Sequence, residues 1–136
     1  MHNLGFWNIA QRSAERLALV GPDGERITAG ELLGRANQLV HGLRTQGFEA
    51  GDTIATVFKN EVAVVELYLA IAQAGIYLVP INHHLLAPEI AYIVKDSQAK
   101  GFVCSEQFAN QCTSAMNFLD FNPQARFSTG VVPGFR

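Results

Sequence analysis

Charge is scarce in this 136-residue chain, with Asp, Glu, Lys and Arg making up 16% of it, against about 25% in an ordinary soluble domain. Apolar residues make up 49%, and that balance excludes a disordered or polyelectrolyte chain. A basic excess is missing too. Net charge is -2, so no surplus of cations can track phosphates, and nucleic acid is not expected as a partner. Cysteine is limited to Cys104 and Cys112, too few for a disulfide framework. They read as buried or incidental thiols in a reducing compartment, and the expected location is cytoplasmic, with peripheral membrane contact allowed. The start, Met1-His2-Asn3-Leu4-Gly5, has no Lys or Arg and no long apolar core, so no signal peptide is expected.

Phosphate-binding signatures are also wanting. No Gly-x-Gly-x-x-Gly follows a strand-like run, and no Gly-x(4)-Gly-Lys-Ser/Thr is present. A nucleophile elbow, Gly-x-Ser-x-Gly, is absent as well. One long apolar run does exist. Val62 to Ile81 carries only Glu66 and Gln73 as polar residues, and about 20 apolar residues can cross a bilayer. Glu66 would be costly at a span centre, Gly75 stops a helix, and Pro80 breaks a continuing one. The expectation is a buried helix followed by a buried strand, with no transmembrane span.

The remaining pattern predicts alternating elements. A short helix is expected over residues 4–15, capped by Asn3. Leu17–Val20 and Arg26–Thr28 read as two strands joined by the turn chemistry of Gly21-Pro22-Asp23-Gly24. Thr28-Ala29-Gly30-Glu31 is a capping box. Behind it Leu32, Leu33, Ala36, Leu39, Val40 and Leu43 recur at helical period until Gly47. Thr53–Phe58 is strand-like. A helix capped by Asn60 then runs to Gly75, followed by strand Ile76–Val79. Pro88 and Glu89 open another helix, Gly101–Cys104 is a strand, residues 106–119 a helix, and Arg126–Ser128 a last strand. The fold class expected is α/β: a largely parallel sheet with helices on both faces, preceded by a helix and a β-hairpin. Residues 1–50 group as helix, hairpin and capped helix; residues 51–136 form an alternating β/α unit that reads as an incomplete subdomain.

Few side chains suggest chemistry. His83-His84 follows a strand, but the nearest acids in sequence are Glu89 and Asp96, so a polar loop covering the sheet edge is expected over a metal site. Cys104 ends an apolar strand and reads as core, not as a nucleophile. Ser128–Gly134 has the small residues of a phosphate loop but no Lys after its last glycine; only Arg136 is near, so a plain loop is expected. Glu66 is expected on the exposed stripe of its helix, since a buried carboxylate needs a partner.

Several segments in order resemble the N-terminal part of bacterial fatty-acyl-CoA synthetases, the long-chain fatty-acid–CoA ligases of the adenylate-forming superfamily. They are Arg26-Ile27-Thr28-Ala29-Gly30-Glu31-Leu32, Arg35-Ala36-Asn37-Gln38-Leu39, Gly51-Asp52-Thr53-Ile54-Ala55, Glu66-Leu67-Tyr68-Leu69-Ala70, Ala74 to Asn82, and Glu89 to Ser97. The likeness covers roughly residues 4–105. It implies a partial N-terminal domain of the adenylate-forming fold, and a whole protein that uses ATP, Mg and CoA to turn a fatty acid into acyl-adenylate and then acyl-CoA. The family's phosphate loop, aromatic-Thr-Glu motif, ribose-binding Asp and catalytic Lys lie downstream of the matched region. No catalytic, cofactor-binding or metal residue therefore carries over, and this chain alone is expected to be inactive, as a cloned fragment or a truncated product. The alternative is a stand-alone, non-catalytic α/β binding or interaction module. Self-association through exposed sheet edges is expected in either case. Three positions depart from the family pattern: Leu86 stands where Thr is common, Lys59 where Pro is usual, and Gly101 where a bulky apolar residue is usual.

Overall fold

A computed structural model describes residues 5–136. Helix α1 (Phe6–Arg12) starts from Gly5 without a side-chain cap; the expected Asn3 cap lies outside the described residues. Strands β1 (Leu17–Val20) and β2 (Arg26–Thr28) pair antiparallel. Their turn is closed by the Gly21 amide on the Glu25 carbonyl at 2.8 Å and by the Asp23 carboxylate, which accepts the Glu25 amide at 3.0 Å. Helix α2 (Ala29–Thr45) opens with the expected capping box. The Glu31 carboxylate accepts the Thr28 amide at 2.8 Å, and the Thr28 hydroxyl accepts the Glu31 amide at 3.3 Å. Leu32, Ala36, Val40 and Leu43 are buried, while Leu39 lies at the exposed border of the stripe.

Strand β3 (Thr53–Val57), helix α3 (Val62–Ala74), strand β4 (Tyr77–Pro80), helix α4 (Ala87–Asp96), strand β5 (Gly101–Cys104), helix α5 (Ala109–Met116) and strand β6 (Arg126–Ser128) follow. The sheet order is β4-β3-β5-β6, with every pairing parallel. Strand residues alternate between two cores. Ile54 and Val103 pack with Leu43 of α2 and Leu67 and Ile71 of α3. Ala55, Val57, Phe102 and Cys104 face the other way, against Ile90 and Val94 of α4 and Ala115 and Met116 of α5. Helices thus cover both faces, as the alternation predicts. The apolar run 62–81 resolves into α3 and β4, with Gly75 between them in the left-handed region at φ 72°. Among the described residues no helix is long and apolar enough to cross a membrane.

Three boundaries differ from expectation. The N-cap of α3 is Glu61, not Asn60, and no side chain caps it; the Glu61 carboxylate is engaged by Ser105 instead. Strand β4 is shifted one residue, because the Ile76 amide closes the end of α3 on the Ile71 carbonyl at 3.0 Å. The helix expected over 106–119 is a 3-10 turn, Glu106–Phe108, followed by α5. The break falls at Phe108 (φ -104°, ψ 19°), whose ring is buried beside His83 at 4.8 Å between centroids.

Both edges of the sheet are blunted. In β4 the amides of Tyr77 and Ile81 bond back to Asp52 and Thr56. Alternation therefore turns the Leu78 amide outward, and the next outward position is Pro80, which has no donor. Along β6, Ser128 donates to the Arg136 carbonyl at 2.7 Å, and the Arg136 amide donates to Arg126 at 3.0 Å. The free edges expected to join copies are correspondingly short.

Candidate functional site

From β3 the chain crosses through α3 to β4 on one side, then through α4 to β5 on the other. That reversal makes the carboxyl ends of β3 and β5 a topological switch point, the place where open parallel sheets receive ligands. Lys59, Asn60 and Glu61 follow β3 there, and Ser105 follows β5. Ser105 is 1% exposed. Its oxygen accepts the Lys59 amide at 3.1 Å, and its hydroxyl donates to the Glu61 carboxylate. This side chain reinforces the ladder at the two strand ends, where the Ser105 amide also donates to the Val57 carbonyl at 2.9 Å.

A charged cleft of about 540 Å³ opens beside them, bordered by Lys59, Asn60, Glu61, Glu66, Arg35 and Thr129. Glu66 is not on an exposed stripe, as its helical position suggested. Its side chain is 17% exposed and meets the Arg35 guanidinium at 3.1 Å; Arg35 also meets Glu25 at 2.8 Å. The pair of carboxylates raises the Arg35 pKa, Glu25 contributing most and Glu66 next. One arginine thereby ties the hairpin turn, α2 and α3 together. On the same helix face, an apolar groove of about 360 Å³ runs between α2, α3 and the β5–β6 floor, walled by Leu39, Leu43, Leu67, Val103 and Phe127. Arg136 sits at its rim and donates to Gln46 at 2.8 Å.

The other candidates stay apart from this edge or turn inward. His83 stacks on His84 and Phe108, with centroids 4.1 and 4.8 Å away. Among the described residues no three His, Cys, Asp or Glu side chains converge as a metal group. In the loop after β6, the Ser128 hydroxyl donates to the Gly130 carbonyl at 2.5 Å, and the Thr129 amide to the Cys104 carbonyl at 3.1 Å. Those donors face protein carbonyls and make no anion cradle. Cys104 at the end of β5 and Cys112 on α5 are both buried in one core cluster. The neighbouring Cys104 sulfur and burial together push the Cys112 thiol pKa up. Sequence reasoning missed Ser105 and Glu61, because the switch point depends on strand order and no local motif marks it.

Residues 6–129 match the family described as AMP-binding enzyme. The medium-chain acyl-CoA ligase ACSF2 of Pongo abelii is 38% identical over 103 residues, covering 75% of this chain and 17% of that protein. The long-chain-fatty-acid–CoA ligase FadD13 of Mycobacterium tuberculosis is 36% identical over 104 residues, covering 74% of this chain and 20% of that protein. In three dimensions, the Mycobacterium tuberculosis fatty acyl CoA synthetase superposes with a TM-score of 0.77 at 30% identity, over 85% of this chain and 23% of that one. The chain spans about a fifth of the length of the curated relatives it matches.

Proposed function

The chain belongs to the AMP-binding enzymes, and from that premise we propose that it is the amino-terminal part of a fatty-acyl-CoA synthetase, an acid–thiol ligase. The observation that carries this reading is the family match over residues 6–129, joined to relatives named as acyl-CoA ligases of which the chain spans about a fifth. In the whole protein a fatty-acid carboxylate oxygen attacks the α-phosphorus of ATP and pyrophosphate leaves. The thiol of CoA then attacks the acyl carbon and AMP leaves.

On this reading the described residues are not the ones that hold ATP or magnesium. Glu25 and Glu66 are already bound to Arg35, and Glu61 to Ser105. The Ser128 and Thr129 amides point at protein carbonyls. On this reading the nucleotide and its magnesium are held by the rest of the protein. Residues 1–50 and 51–136 contribute framework, the second an incomplete subdomain whose carboxyl edge borders the cleft. ATP–pyrophosphate exchange with palmitate tests the proposal. The chain alone should give no exchange above background, and the same chain joined in frame to the remainder of a matching relative should give palmitate-dependent exchange. Exchange by the chain alone overturns its expected inactivity. A folded fusion that shows none overturns the ligase reading.

A further inference from the structure

The apolar groove between α2 and α3 is charged unevenly along its length. Leu39 and Leu43 of α2, Leu67 of α3, Val103 of β5 and Phe127 of β6 supply its walls and floor. Leu43, Leu67, Val103 and Phe127 belong to one core cluster, so the indentation is set in packed protein. Arg136 and Glu66 both border it. The Arg136 guanidinium donates to the Gln46 side chain at 2.8 Å, at the carboxyl end of α2. That partner is neutral, and among the described residues no carboxylate pairs with Arg136. Glu66 is held by Arg35 at 3.1 Å, and Arg35 precedes Gln46 by roughly 16 Å along the helix. One end of the groove therefore carries an uncompensated cation, and the other a carboxylate that is already paired.

We propose that this groove binds a single-tailed anionic amphiphile as a soluble monomer, with its hydrocarbon tail along α2 and α3 and its head group on Arg136. The groove's volume of about 360 Å³ lies near the lower end of the roughly 300–1,000 Å³ of small-molecule sites. It therefore takes one tail of medium length and no double-tailed lipid. The apolar walls supply the gain from removing methylenes from water. Gln46 takes one nitrogen of the guanidinium, which orients the planar fork and leaves its other N–H groups to pair with a carboxylate or sulfate head. A cationic head meets Arg136 as a like charge and is rejected. The inference goes beyond the ligase reading and does not rest on it, since it needs no ATP, no CoA and no residue outside this chain.

To test this, decanoate is titrated into the unaltered full chain, below the onset of micelles and at protein concentrations where sedimentation shows the monomer. Calorimetry and methyl NMR follow the titration. Saturable one-to-one binding is expected, with methyl shifts at Leu39, Leu43, Leu67 and Val103 and none at Ile90 and Val94 on the opposite face of the sheet. Decyl sulfate should bind as decanoate does, and decyltrimethylammonium should not. Shortening decanoate to octanoate should weaken binding roughly tenfold. Arg136→Gln should weaken decanoate binding about tenfold and leave decanol binding unchanged. Absence of saturable binding, shifts spread over both faces, equal binding of decyltrimethylammonium, or unaltered decanoate affinity in Arg136→Gln would each overturn the proposal. If that variant folds poorly, the head-group comparison on the unaltered chain still decides. The ATP–pyrophosphate exchange described above reads the ligase assignment separately, so the failure of either leaves the other standing.

Discussion

Thr28 and Leu86 occupy the same place at the start of two helices and differ by one acceptor oxygen. The Thr28 hydroxyl accepts the Glu31 amide, whereas at Leu86 only the reverse half exists, the Glu89 carboxylate accepting the Leu86 amide at 2.7 Å. Thr28→Ala should cost about 1 kcal/mol. Leu86→Thr should gain stability by up to a similar amount, since Leu86 is 70% exposed and gives up little packing. Denaturant midpoints check both, and an unchanged midpoint for Thr28→Ala would contradict the capping role. Gly101 is another residue whose fate is decided by a neighbour. A Cβ there would lie 2.7 Å from the Phe48 ring, so the glycine makes room for that ring where the family pattern has a bulky residue. Gly101→Val should destabilise by about 1–3 kcal/mol through overpacking, and Phe48→Leu in the same chain should recover part of the loss. At Asp52, the Lys100 ammonium at 2.6 Å and the Glu49 amide at 2.7 Å hold the carboxyl below its ordinary range, Lys100 first. A carboxyl lowered in the fold contributes stability above its unfolded pKa and loses it as pH falls through the folded one. Asp52→Asn should therefore lower Tm at neutral pH and flatten the fall in Tm below about pH 4.

Among the elements, the hairpin forms a two-stranded sheet separate from the parallel one. Its turn is linked to α3 through Glu25, Arg35 and Glu66, and β2 runs directly into α2. Arg35→Met removes the shared cation and leaves the half-buried Glu66 without its partner. Hydrogen exchange should then accelerate at the Gly21 and β1–β2 amides while β3 keeps its protection. A uniform acceleration across both sheets would mean that Arg35 supports the whole fold and not this junction. Helix α1 is held by a separate chain of side chains: the Trp7 indole donates to Gln73, and Gln73 donates to Asn37 at 2.9 Å.

At the scale of the molecule, self-association through sheet edges is the expectation, and the structure adds a second apolar surface that could take part. Pro80 and the return of Arg136 onto β6 limit edge pairing. The apolar groove between α2, α3 and β6 remains open, and a net charge of -2 offers little repulsion. Sedimentation equilibrium should show a mass rising above 14.8 kDa with concentration, and Leu39→Glu at the groove should return it toward the monomer. A mass constant at the monomer value removes the expectation. A rise indifferent to Leu39→Glu moves the contact elsewhere.

The hairpin turn, the Thr28–Glu31 box and the stop at Gly75 were readable from the sequence because each is closed by hydrogen bonds or backbone preferences within a few residues. The alternation of strand-like and helical runs likewise determined a parallel sheet covered on both faces. Other features depended on partners far along the chain. Glu66 found Arg35 across 31 positions, Ser105 found Glu61 across 44 and the Lys59 amide across 46. Phe48 settled over Gly101. Alternation does not specify strand order, and it is the order β4-β3-β5-β6 that sets the ends of β3 and β5 side by side. Whether Glu66 was paired and where the crevice lay were therefore decided by the tertiary structure alone.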